Sequence, residues 1–151
     1  MSRLLRSLTV LTALLTMALT GHGADVSVVG DADLVISGAT AGSNPPAVTD
    51  QTCQLQWSKL GTEATKKITV QTSLVGPRFL LTAEAVSISP GGSGTSAGEI
   101  SISSSAADFV VSIPGNAVIS GTCDLLYQAT AEATDGTGID THTITYTIVD
   151  Q

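Results

Sequence analysis

Apolar and polar residues alternate with a period of two along most of the chain after residue 24. In the segment 53–58, Cys53, Leu55 and Trp57 would share one face of a strand, and the polar residues between them would share the other. Turn residues such as Gly, Pro, Asn and Asp separate this run from further alternating runs at 26–29, 34–37, 68–74, 79–86, 100–103, 109–113, 123–131 and 144–148. The pattern predicts about eight or nine short strands and no long helix in this part of the chain.

Short alternating strands separated by turns are typical of an antiparallel β-sandwich, in which each strand buries one face. The length after residue 23 suits one domain with a hydrophobic core of its own. We therefore predict an all-β fold. It would be an antiparallel β-sandwich with an immunoglobulin-like or pilin-like plan, formed by a single domain over residues 24–151.

The N-terminus has the composition of a secretory signal peptide. Arg3 and Arg6 precede an uncharged, largely apolar run at 7–20, and the small residues Gly21 and Gly23 then flank His22 where a cleavage site is expected. The apolar run is shorter than the roughly 20 residues that cross a bilayer. We predict that residues 1–23 are removed. The protein would then be secreted and would lie outside the cell, at the cell surface or in the periplasm, without membrane insertion.

Cys53 and Cys123 are the two cysteines of the chain. In an oxidising compartment an isolated pair is more often bridged than free. Each cysteine lies on the apolar face of a predicted strand, so a bridge between them would be internal. We predict a Cys53–Cys123 disulfide, which would stabilise the fold by about 4 kcal/mol by restricting the unfolded chain.

Acidic residues outnumber basic ones: the chain has 13 Asp and Glu residues and 6 Lys and Arg residues, which gives a formal net charge of −7. Two of the basic residues, Arg3 and Arg6, belong to the predicted leader, so the processed chain is more acidic still. Such a chain repels phosphate backbones and anionic lipids. We expect no nucleic-acid partner and no binding to a membrane surface, and we attribute the acidity to solubility.

Side chains that carry out catalysis or bind metals are few and scattered. His142 is the single histidine after the leader, which favours a structural role over a catalytic triad or a zinc site. Asp135 and Asp140 flank a Gly-rich turn, and Asp31 and Asp33 lie in the turn that begins at Gly30, but neither stretch matches the spacing of an EF-hand loop. The sequence thus predicts a protein that is not an enzyme and that has no cofactor and no metal site.

Trp57 is the residue that would favour carbohydrate binding, because an exposed indole ring can stack on a sugar. It shares its predicted face with Cys53 and Leu55, which favours packing in the core. An alternative function, a small secreted ligand- or carbohydrate-binding module, therefore requires Trp57 or Tyr127 to be exposed beside polar groups.

The two ends of the predicted processed chain are both alternating strands. Val26 and Val28 alternate with polar residues near its start, and Ile144, Tyr146 and Ile148 alternate with threonines at its end. Terminal strands can pair with the open edge of a neighbouring subunit and add main-chain hydrogen bonds. They can equally pair within their own subunit, and the sequence leaves both arrangements open.

This plan resembles the pilin subunits of chaperone–usher fibres, which are exported β-sandwiches with one disulfide, an N-terminal donor strand and an alternating C-terminal strand. Gly138 stands where such pilins often have a glycine, whereas Asp150 is penultimate where they have a tyrosine. The resemblance implies self-assembly through terminal strands. We therefore expect a non-enzymatic structural protein of the cell surface or extracellular space, a filament or adhesin subunit whose partners are proteins.

Overall fold

The computed structural model describes residues 23–37, 43–136 and 138–151, together with the backbone of Leu8–Thr9. Within these residues the chain forms strands and turns and no helix. The strands are β1 (Leu8–Thr9), β2 (Asp25–Val29), β3 (Asp33–Leu34), β4 (Val48–Lys59), β5 (Lys66–Thr72), β6 (Leu80–Ser89), β7 (Thr95–Ser96), β8 (Ile100–Ser101), β9 (Ala107–Ile113), β10 (Ile119–Thr130) and β11 (Ile144–Asp150).

The strands form two main sheets in which all pairings are antiparallel. One sheet has the order β2-β4-β10-β6-β8 and the other has the order β11-β5-β9-β7. One core cluster takes buried side chains from both, including Leu55 and Leu125 from the first sheet and Ile68 and Phe109 from the second. The prediction of an all-β fold with two antiparallel sheets around a core is confirmed.

The chain after β2 continues as an extended segment at 31–37, in which Ala32, Leu34 and Ile36 are buried. Part of this segment forms β3, whose partner in the described part of the chain is β1. Strand β1 lies inside the leader that the sequence predicts to be removed. The rest of that leader, apart from Gly23, lies outside the described residues, so the prediction of cleavage remains a prediction.

Gly121 is the third residue of β10, and the strand continues through it. It stands directly opposite Trp57 on β4, and a Cβ atom at this position would overlap the indole ring. The ring is buried, and its Nε1 donates a hydrogen bond to the Ser93 carbonyl at 3.1 Å. The glycine therefore makes room for tryptophan, and an irregularity in the register falls just beyond it, between Thr122 and Asp124 on the β6 side.

The predicted Cys53–Cys123 disulfide is wrong: both cysteines are buried free thiols. Cys123 stands opposite Leu55, and Cys53 stands opposite Leu125, so the thiols are diagonal neighbours two positions out of register. Diagonal positions in an antiparallel ladder lie about 7–8 Å apart, too far for a bridge without movement of the backbone. Alternation in the sequence correctly gave the buried face of each cysteine, but it does not specify the register between strands.

Candidate functional site

The two sides of the fold differ in how much open sheet edge they present. On one side the edges are β8 and β7, which have two residues each. On the other side they are β2 and β11, which have five and seven residues and lie beside each other. A long edge strand offers unpaired main-chain donors and acceptors, so the side formed by β2 and β11, termed here the long-edge side, is the candidate functional site.

Strand β11 pairs in unbroken register with β5. Main-chain hydrogen bonds flank the ladder, from Gln151 N to Thr65 O at 2.9 Å and from Ser73 N to Thr143 O at 3.0 Å. In an antiparallel pair, alternate residues direct both main-chain groups towards the partner strand, and those between direct them away. The even-numbered residues of β11 therefore turn their N–H and C=O groups to the free edge: Ile144, Tyr146, Ile148 and Asp150.

The side chains of the same strand anchor it in the fold. Ile144 and Tyr146 are buried and Ile148 is half-buried against the core, while Thr145 and Thr147 lie on the outer face. No charged residue and no proline occurs from 143 to 149. In the part of the chain that the structure describes, this edge has no second partner strand.

Tyr146 connects the edge strand to the opposite sheet. Its hydroxyl lies 2.8 Å from the Tyr127 hydroxyl on β10, and its ring packs against Phe109 with centroids 5.2 Å apart. Burial raises the pKa of both tyrosines well above its ordinary value. Both hydroxyls therefore stay protonated, and one donates its hydrogen to the other.

Strand β2 carries the other two residues that the sequence proposed for subunit pairing. Val26 stands opposite Trp57, and Val28 stands opposite Leu55. Both valines are half-buried and pack against the core. Within one chain, β2 and β11 therefore pair with β4 and β5, and each keeps its other edge open among the described residues.

His142 lies just before β11 and is fully buried, which agrees with the structural role that the sequence favours. Its Nδ1 lies 3.2 Å from the Thr72 hydroxyl, and its Nε2 is buried without a hydrogen-bond partner. Burial lowers the pKa of the imidazole, and the negative charge of Asp140 opposes this effect in part. The neutral ring therefore packs in the interior of the fold at the beginning of β11.

Two of the four aspartates considered as calcium ligands, Asp135 and Asp140, have carboxylates with other partners. The Asp140 carboxylate accepts hydrogen bonds from the main-chain N–H groups of Arg78 at 2.6 Å and Phe79 at 2.9 Å. The Asp135 carboxylate accepts one from Glu132 N–H at 2.6 Å. These bonds explain both residues as turn-forming, and the described residues contain no group of three or more metal-ligating side chains.

A buried lysine and a buried glutamate escaped the sequence analysis. The Lys59 ammonium donates hydrogen bonds to the carbonyls of Leu60 and Ala117, each at 3.0 Å. Glu63, in the turn that follows, is buried, and neither of its carboxylate oxygens has a hydrogen-bond partner. A signal for Lys59 was present, because the alternation that buries Leu55 and Trp57 puts residue 59 on the same face.

The aromatic residues on which the ligand-binding alternative depends are both in the core. Trp57 and Tyr127 are each 3% exposed. A buried ring offers no face for stacking on a sugar. The alternating pattern of the sequence, which favoured core packing for Trp57, agrees with this position.

Among the described residues there is no helix whose length and hydrophobicity would let it span a membrane. Comparisons with models of known protein families, with curated proteins and with solved structures find no match to this chain. The open main-chain edges of β2 and β11 are therefore the feature that bears on the function.

Proposed function

We propose that this protein is a non-enzymatic structural protein of the cell surface or extracellular space, and that it assembles by strand pairing at the long-edge side. The single observation that carries the proposal is the difference between the two sides of the fold. Edges of two residues stand on one side, and edges of five and seven residues stand on the other.

Open sheet edges invite pairing with other chains, and monomeric proteins usually protect them. The usual devices are very short strands, lysine, proline, bulges and inward-pointing charges. The short strands β7 and β8 have such protection, whereas β11 has none from Thr143 to Val149. Each main-chain bond gained on pairing contributes about 0.5–1.5 kcal/mol, so a strand of this length can form a stable junction.

An immunoglobulin-like or pilin-like plan and export from the cell belong to this proposal. The leader-like segment 1–23 supports export. The resemblance to pilins rests on alternating terminal strands, and β2 and β11 are both edge strands. A filament or adhesin subunit that uses these strands to pair with another chain is the role most consistent with those features.

The experiment is a measurement of assembly on residues 24–151 recovered from the exported fraction. Light scattering after size exclusion, over a range of concentrations, should give a mass above that of one chain. Thr147→Lys adds a charge on the outer face of the edge strand and should return the protein to a monomer. Gln71→Lys adds the same charge on the same face one strand further in, opposite Thr145, and should leave assembly intact. A strictly monomeric wild-type protein would contradict the proposal.

A further inference from the structure

We infer that the partner at the β11 edge is a second copy of this chain, paired antiparallel, β11 to β11, about a two-fold axis at Thr147. The inference rests on the proposed assembly by strand pairing and identifies its partner and geometry. The resulting unit is a closed dimer, and any larger assembly is built from such dimers.

The first support is that both long edges are on one side. When two copies meet side by side on a two-fold axis perpendicular to the sheets, β11 meets β11, and the neighbouring β2 of each copy lies beside the same contact. The opposite side has two-residue edges, β7 and β8, and cannot continue the sheets in the same way. Growth by this contact therefore ends at two copies.

The second support is the direction of the main-chain groups on β11. With Thr147 on the axis, all seven residues of one strand overlap all seven of the other. Ile144 then faces Asp150 of the second copy, and Tyr146 faces Ile148. These are the four residues whose N–H and C=O groups point to the free edge, so every free-edge group of the strand finds a partner.

The third support is that the strand is complementary to itself. Thr147 would face Thr147 of the second copy, a pair that can form a hydrogen bond across a sheet, and Thr145 would face Val149. The chain is acidic, and copies repel one another in general. The facing segments carry no charge from 143 to 149, and the nearby Asp150 carboxylate is neutralised by Lys66 at 2.7 Å.

The test is a cysteine at the axis. Thr147→Cys in the 24–151 chain puts two thiols at a non-hydrogen-bonded pair, where Cα atoms about 4.5 Å apart allow a disulfide. Mild oxidation should convert most of this variant to a covalent dimer on a non-reducing gel. Gln71→Cys, one strand inside the edge, should remain uncrosslinked. Both native cysteines are buried, so they do not compete.

A second variant keeps the test decisive if Thr147→Cys folds poorly. Thr145→Cys combined with Val149→Cys should crosslink at two symmetric positions, since each residue faces the other across the same axis. A larger mass in solution without crosslinking by either variant would overturn this inference and leave the proposed function standing. A monomeric wild-type protein would overturn both. Open pairing of β11 with β2 would put the new cysteines opposite a strand without cysteine, so it would give a larger mass without crosslinking and would also overturn the closed dimer.

Discussion

The hydroxyl groups of Tyr127 and Tyr146 lie 2.8 Å apart in the core and join the central strand of one sheet to the edge strand of the other. Removal of one partner leaves the other hydroxyl buried without a hydrogen bond. We expect Tyr146→Phe to lower the free energy of unfolding by about 1–3 kcal/mol. Urea unfolding followed by circular dichroism measures the change.

The double variant Tyr127→Phe with Tyr146→Phe is the control for this tyrosine pair. It removes both hydroxyls, so no unpaired polar group remains, and its loss of stability should be smaller than that of Tyr146→Phe. Additive losses in the two single variants and the double variant would mean that the two hydroxyls contribute independently, contrary to the structure.

The two cysteines give a prediction that separates free thiols from a bridge. Burial raises the pKa of Cys123 to about 12 and also raises the pKa of Cys53, so thiolate is scarce at neutral pH. We expect neither thiol to react with a thiol reagent in the native protein, and both to react in denaturant without a reductant. Cys53→Ala should lose one of the two reactive groups. Unreduced, denatured wild-type protein without reactive thiols would contain the bridge that the structure excludes.

His142 should make stability depend on pH. Burial lowers its folded-state pKa below the ordinary value of 6.5, so the unfolded chain binds the proton first as pH falls. The stability contributed by the neutral ring is complete above about pH 6.5 and is lost as pH falls from there through the folded-state pKa. Chemical unfolding at a series of pH values between about 8 and 5 measures this loss.

His142→Gln is the matched control for the pH series, because glutamine is polar and does not titrate. Its unfolding free energy should change less than that of the wild type between about pH 6.5 and 5. If the unfolding free energies of the two proteins changed equally with pH, His142 would not be the cause of the pH dependence.

Period-two alternation predicted the fold class and the buried face of most strands. Leu55, Leu125 and Tyr146 are buried where the pattern placed them. The alternation did not predict the register between strands, because a pattern along one strand does not state which residue stands opposite it on the next strand. The disulfide failed for this reason: Cys53 and Cys123 face the same core from neighbouring strands but are offset by two positions.

The candidate site was predictable in part. The sequence selected Val26, Val28, Ile144, Tyr146 and Ile148 as residues of terminal strands. It did not reveal that both strands end their sheets on one side, since strand order depends on how the whole chain winds. It also missed Lys59 and Glu63, because charged residues are seldom buried and are assigned to the surface by default.

Gly121 gives the sharpest stability prediction, because its role is steric. A methyl group there would overlap the indole of Trp57, whose position is fixed by burial and by its bond to Ser93. We expect Gly121→Ala to lower the free energy of unfolding by about 1–3 kcal/mol and to shift the Trp57 fluorescence. Gly91→Ala, where a Cβ meets nothing within 4 Å, should change stability by less than about 0.5 kcal/mol. Equal losses of stability in the two variants would mean that the Trp57 indole leaves room for a methyl group at residue 121.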